Sequence, residues 1–248
     1  MSEGYLSEGP NRGTVAIRFS DAPYPIMRLA FPSEMSDLLS MDISNTPDRT
    51  IRSYDGSLLD AILPILRNLV EAACRDPGSR IGSDFFREHV LVVEDFCRQL
   101  APLFGADLGI VLPAAILHDI SAIEDFSKVA EHHTLGAIRT ADILRDHGFS
   151  EEQAVEVSAC AQLHLVPVPS GTYGPEAACL SHADALSQMA RPAYWLHYAG
   201  KVRGLGFDEG RGWYRSLVED RWSRLTDSVK PVAKPLYRKA VDACEARQ

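Results

Sequence analysis

The chain has 248 residues, of which 46% are hydrophobic, enough to build one large domain with its own core. Its formal net charge is −9 at pH 7, whereas nucleic-acid and anionic-membrane surfaces are generally rich in Lys and Arg, so both partners are disfavoured. No segment approaches the roughly 20 apolar residues of a membrane span, and the polar, acidic start lacks the features of a signal peptide. We therefore expect a soluble, cytoplasmic protein.

The five cysteines are scattered along the chain. Their number is odd and they form no CxxC pair, so they match neither a disulfide framework nor a zinc ribbon. We expect them to be reduced and mostly buried as small apolar residues.

Residues 1–55 are predicted to form an N-terminal arm. This segment is rich in Pro, Ser, Gly and Asp, with one β-like stretch at Thr14 to Phe19. Its few patterned apolar residues cannot form a core alone, and it offers no ligand candidates. We expect the arm to pack on the main domain or on a second subunit of a homodimer.

Residues 56–248 are predicted to form an all-α domain. Apolar residues recur at spacings of three and four from Gly56 onward, and Gly- and Pro-containing turns separate the segments. After the first helix, which ends near Cys74, the predicted helices lie at about 84–104, 107–120, 126–148, 151–165, 176–190, 192–203, 209–227 and 232–246.

Several of these helices carry a polar residue on an otherwise apolar face. The residues concerned are His89, the doublet His118-Asp119, His132, His164 and Asp184. Gly136, four residues after His132, would let a neighbouring backbone come close. Each residue alone fits a hydrogen-bonded core position. Several buried polar groups on separate helices are better explained by a shared cation, because burial without partners is costly.

The order of these motifs resembles the HD-domain metal-dependent phosphohydrolase superfamily. The resemblance extends over about residues 85 to 190 and includes the stretches AAILHDIS, HHTLGAIRTADIL, CAQLH and HADALS. It implies an HD-type helical bundle with a short irregular or β-like N-terminal extension. The ligands it implies are His89, His118, Asp119 and Asp184, with His132 and His164 added in members that hold two metals.

Two positions leave the ligand set open. His133 is an alternative to His132, and His182 stands where many family members have an acidic residue, which suggests an extra ligand or a lost substrate contact. Imidazole and carboxylate ligands without thiolates favour one or two ions of Fe, Mn, Co, Ni or Zn over the all-oxygen sites typical of Ca and Mg, with Mg as a further option.

The resemblance implies hydrolysis of a small phosphate-containing substrate such as a nucleotide, by attack of a metal-activated water. Asp119, His118 and Arg191 are the candidate catalytic residues. The candidate substrate contacts are Lys128, Tyr173, Arg191 and Lys201. Tyr173 lies in the loop Val166 to Pro175 between two candidate ligands, a position that favours a role in substrate selection.

Two alternatives belong to other classes. Some HD-fold proteins with six ligands use two irons and O₂ to cleave C–C or C–P bonds, although the short spacings here, 13 residues from Asp119 to His132, look more like those of the hydrolases. A non-catalytic metal- or nucleotide-binding module is the other alternative, and the intact ligand set argues against it.

Overall fold

The computed structural model describes residues 13–16, 28–31, 56–165 and 174–245. The chain divides into two compact units, Met1–Thr50 and Ile51–Gln248. In the first, strands β1 (Gly13–Ala16) and β2 (Arg28–Phe31) pair antiparallel, with Gly13 opposite Phe31 and Ala16 opposite Arg28. Within these limits the N-terminal extension is β-like, as predicted.

The described part of the second unit is all-α. Its helices are α1 (Gly56–Arg75), α2 (Leu91–Phe104), α3 (Leu108–Leu117), α4 (Ile120–Glu124), α5 (His132–Asp146), α6 (Glu151–Leu163), α7 (Gly174–Ala190), α8 (Pro192–Lys201), α9 (Phe207–Arg224) and α10 (Lys230–Glu245). A π-helical turn, Phe86–Val90, leads into α2, and a 3₁₀ turn, Phe126–Lys128, precedes α5. The all-α prediction is confirmed.

Helix α3 lies at the centre of the bundle. Nearly every side of it is apolar, which is typical of a helix that is surrounded by protein. It packs against α1, α2, α6 and α7, and its Leu112 and Ile116 are fully buried. The central helix therefore brings its C-terminal residues, His118 and Asp119, into the middle of the molecule.

The ends of the helices follow local sequence signals. Helix α2 ends at Gly105 in the left-handed conformation (φ 67°), and the Asp107 side chain accepts from the Gly109 amide to begin α3. Ser150 and Gln153 form a reciprocal capping box at the start of α6. These signals fix where each helix starts or stops, and so where its end residues face.

Two predicted helices differ from the structure. The predicted segment 107–120 is interrupted, because α3 ends at Leu117 and α4 begins only at Ile120. The predicted segment 126–148 begins with the short 3₁₀ turn, and regular α-helix starts at His132. Both interruptions lie beside candidate ligands.

All five cysteines are free and buried, as expected. None of the helices within the described ranges combines the length and the apolar character needed to cross a membrane.

Candidate metal centre

The candidate ligands lie mostly at helix ends and irregular turns, where side chains can converge. His89 lies in the π-helical turn, a feature that is frequent at functional sites. The doublet His118-Asp119 forms the break between α3 and α4. His132 is the first residue of α5 and His164 directly follows α6. Asp184, by contrast, lies within α7.

The backbone of the His118-Asp119 break lies directly against α5. A Cβ atom added at Gly136 would lie 3.0 Å from the His118 carbonyl oxygen and 3.4 Å from Ser121 Oγ. Ser121 Oγ also donates to the carbonyl oxygen of His132 at 3.0 Å. The close backbone approach expected at Gly136 is therefore present, and it joins the doublet to the helix that begins with His132.

Two groups of ligand atoms meet at Asp119. His89, His118 and Asp119 form one group, and Asp119, His132 and His164 form the other, with the ligand atoms of each group within 4.8 Å of one another. Asp119 Oδ2 lies 3.1 Å from Nε2 of both His89 and His118. Asp119 Oδ1 lies 3.2 Å from His132 Nε2. One carboxylate thus presents a different oxygen to each group.

The Nδ1 atoms of three histidines each face the backbone carbonyl oxygen of the residue three positions earlier. These contacts pair His118 with Ala115 at 2.8 Å, His132 with Val129 at 2.6 Å and His164 with Ala161 at 2.6 Å. A carbonyl oxygen can only accept, so each Nδ1 carries the proton and donates it. The Nε2 atom of each neutral ring is then left with a lone pair that faces the centre.

His89 is oriented by a hydroxyl from another helix. Ser187 Oγ lies 3.0 Å from His89 Nδ1 and donates its own proton to the Asp184 carbonyl at 2.7 Å. The hydroxyl therefore accepts from His89, whose Nε2 lone pair also faces inward. Histidines that ligate metals are commonly fixed in this way by a partner on the other nitrogen.

The resulting arrangement fits a cation. His89 Nε2 and His118 Nε2 are 3.2 Å apart, and His132 Nε2 and His164 Nε2 are 3.3 Å apart. Because each Nδ1 proton is already donated elsewhere, two neutral rings of a pair would bring their Nε2 lone pairs together, and these repel unless a proton or a cation lies between them. The Asp119 oxygens supply the matching negative charge on both sides.

Asp184 completes the surroundings of His89. Its Oδ1 lies 3.5 Å from His89 Nε2, and its side chain is almost fully buried. Burial on its own would raise the pKa of Asp184, but the nearby His89 and Arg221 outweigh it and hold the pKa below its ordinary value. The carboxylate is therefore kept in the charged form that a metal ligand requires.

Burial and neighbouring charges together shift the pKa values of three other groups in the centre. Burial disfavours a charged His118, yet the adjacent Asp119 prevails and raises the pKa of His118 to about 9. Burial lowers the pKa of His164 to about 3, reinforced by the charge of His118. Burial opposes ionisation of Asp119 as well, but His118 holds its pKa well below the usual value. Without metal, the cluster thus retains a proton beside an ionised Asp119.

The structure separates the two histidines that the sequence left as alternatives. His132 points its Nε2 at Asp119 and His164, whereas the His133 ring lies about perpendicular to that of His132 with a centroid distance of 6.0 Å. Of the two, His132 is therefore the one that joins the group.

His182 has no free ring nitrogen to offer a metal ion. Its Nδ1 donates to the Ala178 carbonyl at 2.7 Å, and its Nε2 accepts from the Thr226 amide at 3.1 Å. Its ring also packs against Phe104. Both ring nitrogens are occupied by protein partners, so this departure from the family pattern is explained by packing rather than by an extra ligand.

The three candidate substrate-contacting residues that the structure describes lie outside the ligand groups. Lys128 Nζ lies 3.3 Å from Asp125, and Arg191 Nε lies 3.4 Å from Glu88, the neighbour of His89. Lys201 is exposed at the end of α8. Tyr173, with most of the loop Val166 to Pro175, falls outside the described residues.

Sequence reasoning did not identify the residues that hold Asp184. Gln188 donates through Nε2 to both Asp184 oxygens, at 3.0 and 3.2 Å, and Arg221 donates through Nε to Gln188 Oε1 at 2.8 Å. Gln188 could have been found, because four residues after Asp184 it shares the same helix face. Nothing in the sequence connects Arg221, on α9, with this site.

Comparison with known proteins was made by family model, by sequence and by structure. Residues 86–189 match the family model of the HD domain, a range that contains all the candidate metal ligands. The chain is similar to a solved structure, that of a predicted HD superfamily hydrolase from an uncultured Thermotogales bacterium, at 21% identity and a TM-score of 0.46. That similarity covers 73% of this chain and 97% of the other. No curated protein gave a significant match.

Proposed function

Because residues 86–189 match the family model of the HD domain, we propose that the chain is a metal-dependent phosphohydrolase, a phosphomonoesterase or phosphodiesterase for a small anionic substrate. The observation that carries this proposal is the division of the Asp119 carboxylate between two groups of histidines, with Oδ2 facing His89 and His118 and Oδ1 facing His132. A carboxylate with one oxygen toward each group of histidines could help to hold two ions, which together would supply the chemistry of a two-metal hydrolase.

Bound divalent ions would supply an activated water and neutralise the charge of a phosphate. The residues of the chain set the conditions for this. Asp119 and Asp184 bring two negative charges, and the four histidines would be neutral when they bind ions through Nε2, because Nδ1 keeps its donated proton, so two divalent ions would leave the centre with a net positive charge. An acidic protein would in this way attract an anionic substrate locally.

His118 and Asp119 act in this proposal as ligands at the reacting centre. Arg191 is proposed as a phosphate contact, because its ion pair with Glu88 is half-exposed and exposed pairs contribute little stability. Its guanidinium can therefore exchange Glu88 for a substrate oxygen at small cost. Tyr173, Lys128 and Lys201 remain proposed substrate contacts.

The test is a panel of nucleotides and sugar phosphates assayed with Mn, Co, Ni, Mg or Fe. We expect phosphate release by the wild-type protein, and loss of both bound metal and activity in Asp119→Ala. Asp227→Ala is the matched control, because this carboxylate is 98% exposed and pairs with Lys230, three residues further along the chain. Iron-dependent oxygen uptake without phosphate release would contradict the proposal and favour a di-iron oxygenase.

A further inference from the structure

The Asp184 carboxylate is held by a chain of hydrogen bonds that leads to α9. Arginine can only donate, so the 2.8 Å contact from Arg221 Nε fixes Gln188 Oε1 toward α9. The Gln188 amide group must then face Asp184, where it donates to both carboxylate oxygens. The orientation of Asp184 is thus set by a residue 37 positions further along the chain and beyond the matched family region.

This contact does not resemble a chance surface arrangement. Gln188 is 6% exposed, and the Arg221 side chain is 13% exposed. The fully buried Tyr214, also on α9, donates its hydroxyl to the Gln188 carbonyl at 2.9 Å. Both the side chain and the backbone of Gln188 are therefore tied to the same helix.

A second contact from α9 reaches the other ligand group. Arg224 donates through one terminal nitrogen to the carbonyl of Leu165, the residue after His164, at 2.8 Å. Asp220 lies between the two arginines, 2.6 Å from Arg221 and 2.8 Å from Arg224. The Asp220 side chain thereby links the contacts that lead to Asp184 with the contact that leads to His164.

We propose that α9 is a positioning element of the metal centre, in which Arg221 acts through Gln188 on Asp184, Arg224 acts through the Leu165 carbonyl on His164, and Asp220 links the two. This inference rests on the proposed function in that Asp184 and His164 are taken as ligands of different ions. None of the three α9 residues touches the reacting atoms. Partners of metal ligands typically change metal affinity by about 10- to 100-fold when they are removed.

The experiment measures Mn²⁺ binding by calorimetry to chelator-stripped protein in two single-site backgrounds. His132→Gln leaves the group that contains His89 and Asp184, and His89→Gln leaves the group that contains His164. We expect Arg221→Met to weaken binding about 10- to 100-fold in the first background and less than about threefold in the second. Arg224→Met should give the opposite pattern.

Arg215→Met is the matched control. Arg215 lies on the same helix but pairs with Glu219 and Glu245, away from the centre, so its loss should change neither affinity. Arg221→Lys, which keeps the charge, should recover part of the affinity. Thermal unfolding of the metal-free variants checks that each one folds, and Gln188→Met breaks the same chain of contacts if Arg221→Met is unstable.

A crossed pattern of affinities supports the proposal, because general destabilisation would weaken both sites together. Equal effects in both backgrounds, or effects no larger than that of Arg215→Met, would overturn it while leaving the proposed function in place. A wild-type protein that binds no Mn²⁺, Co²⁺ or Fe²⁺ would instead contradict the metal centre itself, and the proposed function with it.

Discussion

The two ligand groups that share Asp119 differ in their surroundings. His89 is 1% exposed and is enclosed by aromatic rings, with centroid distances of 4.7 Å to Phe85 and 5.3 Å to Trp195. The His132 side chain is 13% exposed, and its ring neighbours are the histidines His133 and His164. An ion beside His89 would be held in a dry, rigid setting, whereas water and substrate have easier access on the His132 side.

Replacing one histidine from each ligand group should have the largest effect on metal binding and activity. We expect His89→Gln and His132→Gln each to lower the bound metal by one ion per chain and to reduce activity by at least about 100-fold, since each removes a direct ligand. Metal analysis and phosphate release on the same preparations provide the measurement. His147→Gln serves as control, because this histidine caps the end of α5 through the Ile143 carbonyl. Loss of both ions in His132→Gln alone would contradict the independence of the two groups.

Gly136→Ala should disturb the close contact between α5 and the His118-Asp119 break. The new methyl group would meet the His118 carbonyl at 3.0 Å, and backbone cannot move away as a flexible side chain can. We expect a loss of about 1–2 kcal/mol in the free energy of unfolding, despite the better helix propensity of alanine.

The matched control is Gly212→Ala on α9, where an added Cβ meets nothing within 4 Å. There alanine should stabilise the protein by up to about 1 kcal/mol. Urea unfolding of both variants measures the difference. If Gly136→Ala and Gly212→Ala stabilise the protein equally, α5 does not pack closely on the His118-Asp119 break.

Ser187→Ala should affect the His89 side by a smaller amount. It removes the acceptor for His89 Nδ1–H but leaves every ligand in place. We expect about tenfold weaker Mn²⁺ binding in the His132→Gln background, where only this group remains, and little change in the His89→Gln background. If Ser187→Ala weakens binding only in the His89→Gln background, the hydroxyl acts on the His132 group and the contact with His89 does not orient that ligand.

Lys128→Ala should have the smallest effect of the four. Its ion pair with Asp125 is half-exposed and local, so we expect a change in stability of less than about 0.5 kcal/mol and unchanged metal content. Steady-state kinetics then tests its proposed substrate contact separately. A raised KM with an unchanged kcat would support that contact, and unchanged kinetics would remove Lys128 from the substrate site.

Much of the fold could be predicted because the apolar spacing of the helices is a local property. The all-α class is confirmed and the predicted resemblance agrees with the HD-domain match over residues 86–189, and the described helices after residue 55 begin and end mostly within a few residues of the predicted positions. The break at His118-Asp119 could not be predicted, because the apolar run before it continues into Ile120 and Ile123 and reads as one helix. In the structure the break lies where Gly136 of α5 closely approaches the His118 carbonyl, a contact between segments that no local pattern reveals.

The candidate ligands were predictable for a different reason: a polar residue on an apolar helix face stands out against its neighbours. Their metal-binding role stays a prediction that the experiments above test. The contact between Gln188 and Arg221 could not be predicted, because it joins residues 33 positions apart and no local pattern distinguishes Arg221 from the other arginines of α9. Long-range polar contacts of this kind depend on which helices become neighbours.

The hydrogen bonds that orient the histidines have a consequence for the order in which the centre forms during folding. His118, His132 and His164 each donate to a carbonyl three residues earlier, so their ring orientations can be established when a single helix end forms, on the microsecond scale of such local events. The acceptor for His89 lies 98 positions away, and contacts that distant in sequence form late because a long loop must close first. We therefore expect a refolding chain to acquire its first metal affinity on the His132 side, with the His89 side becoming competent only once α7 has docked.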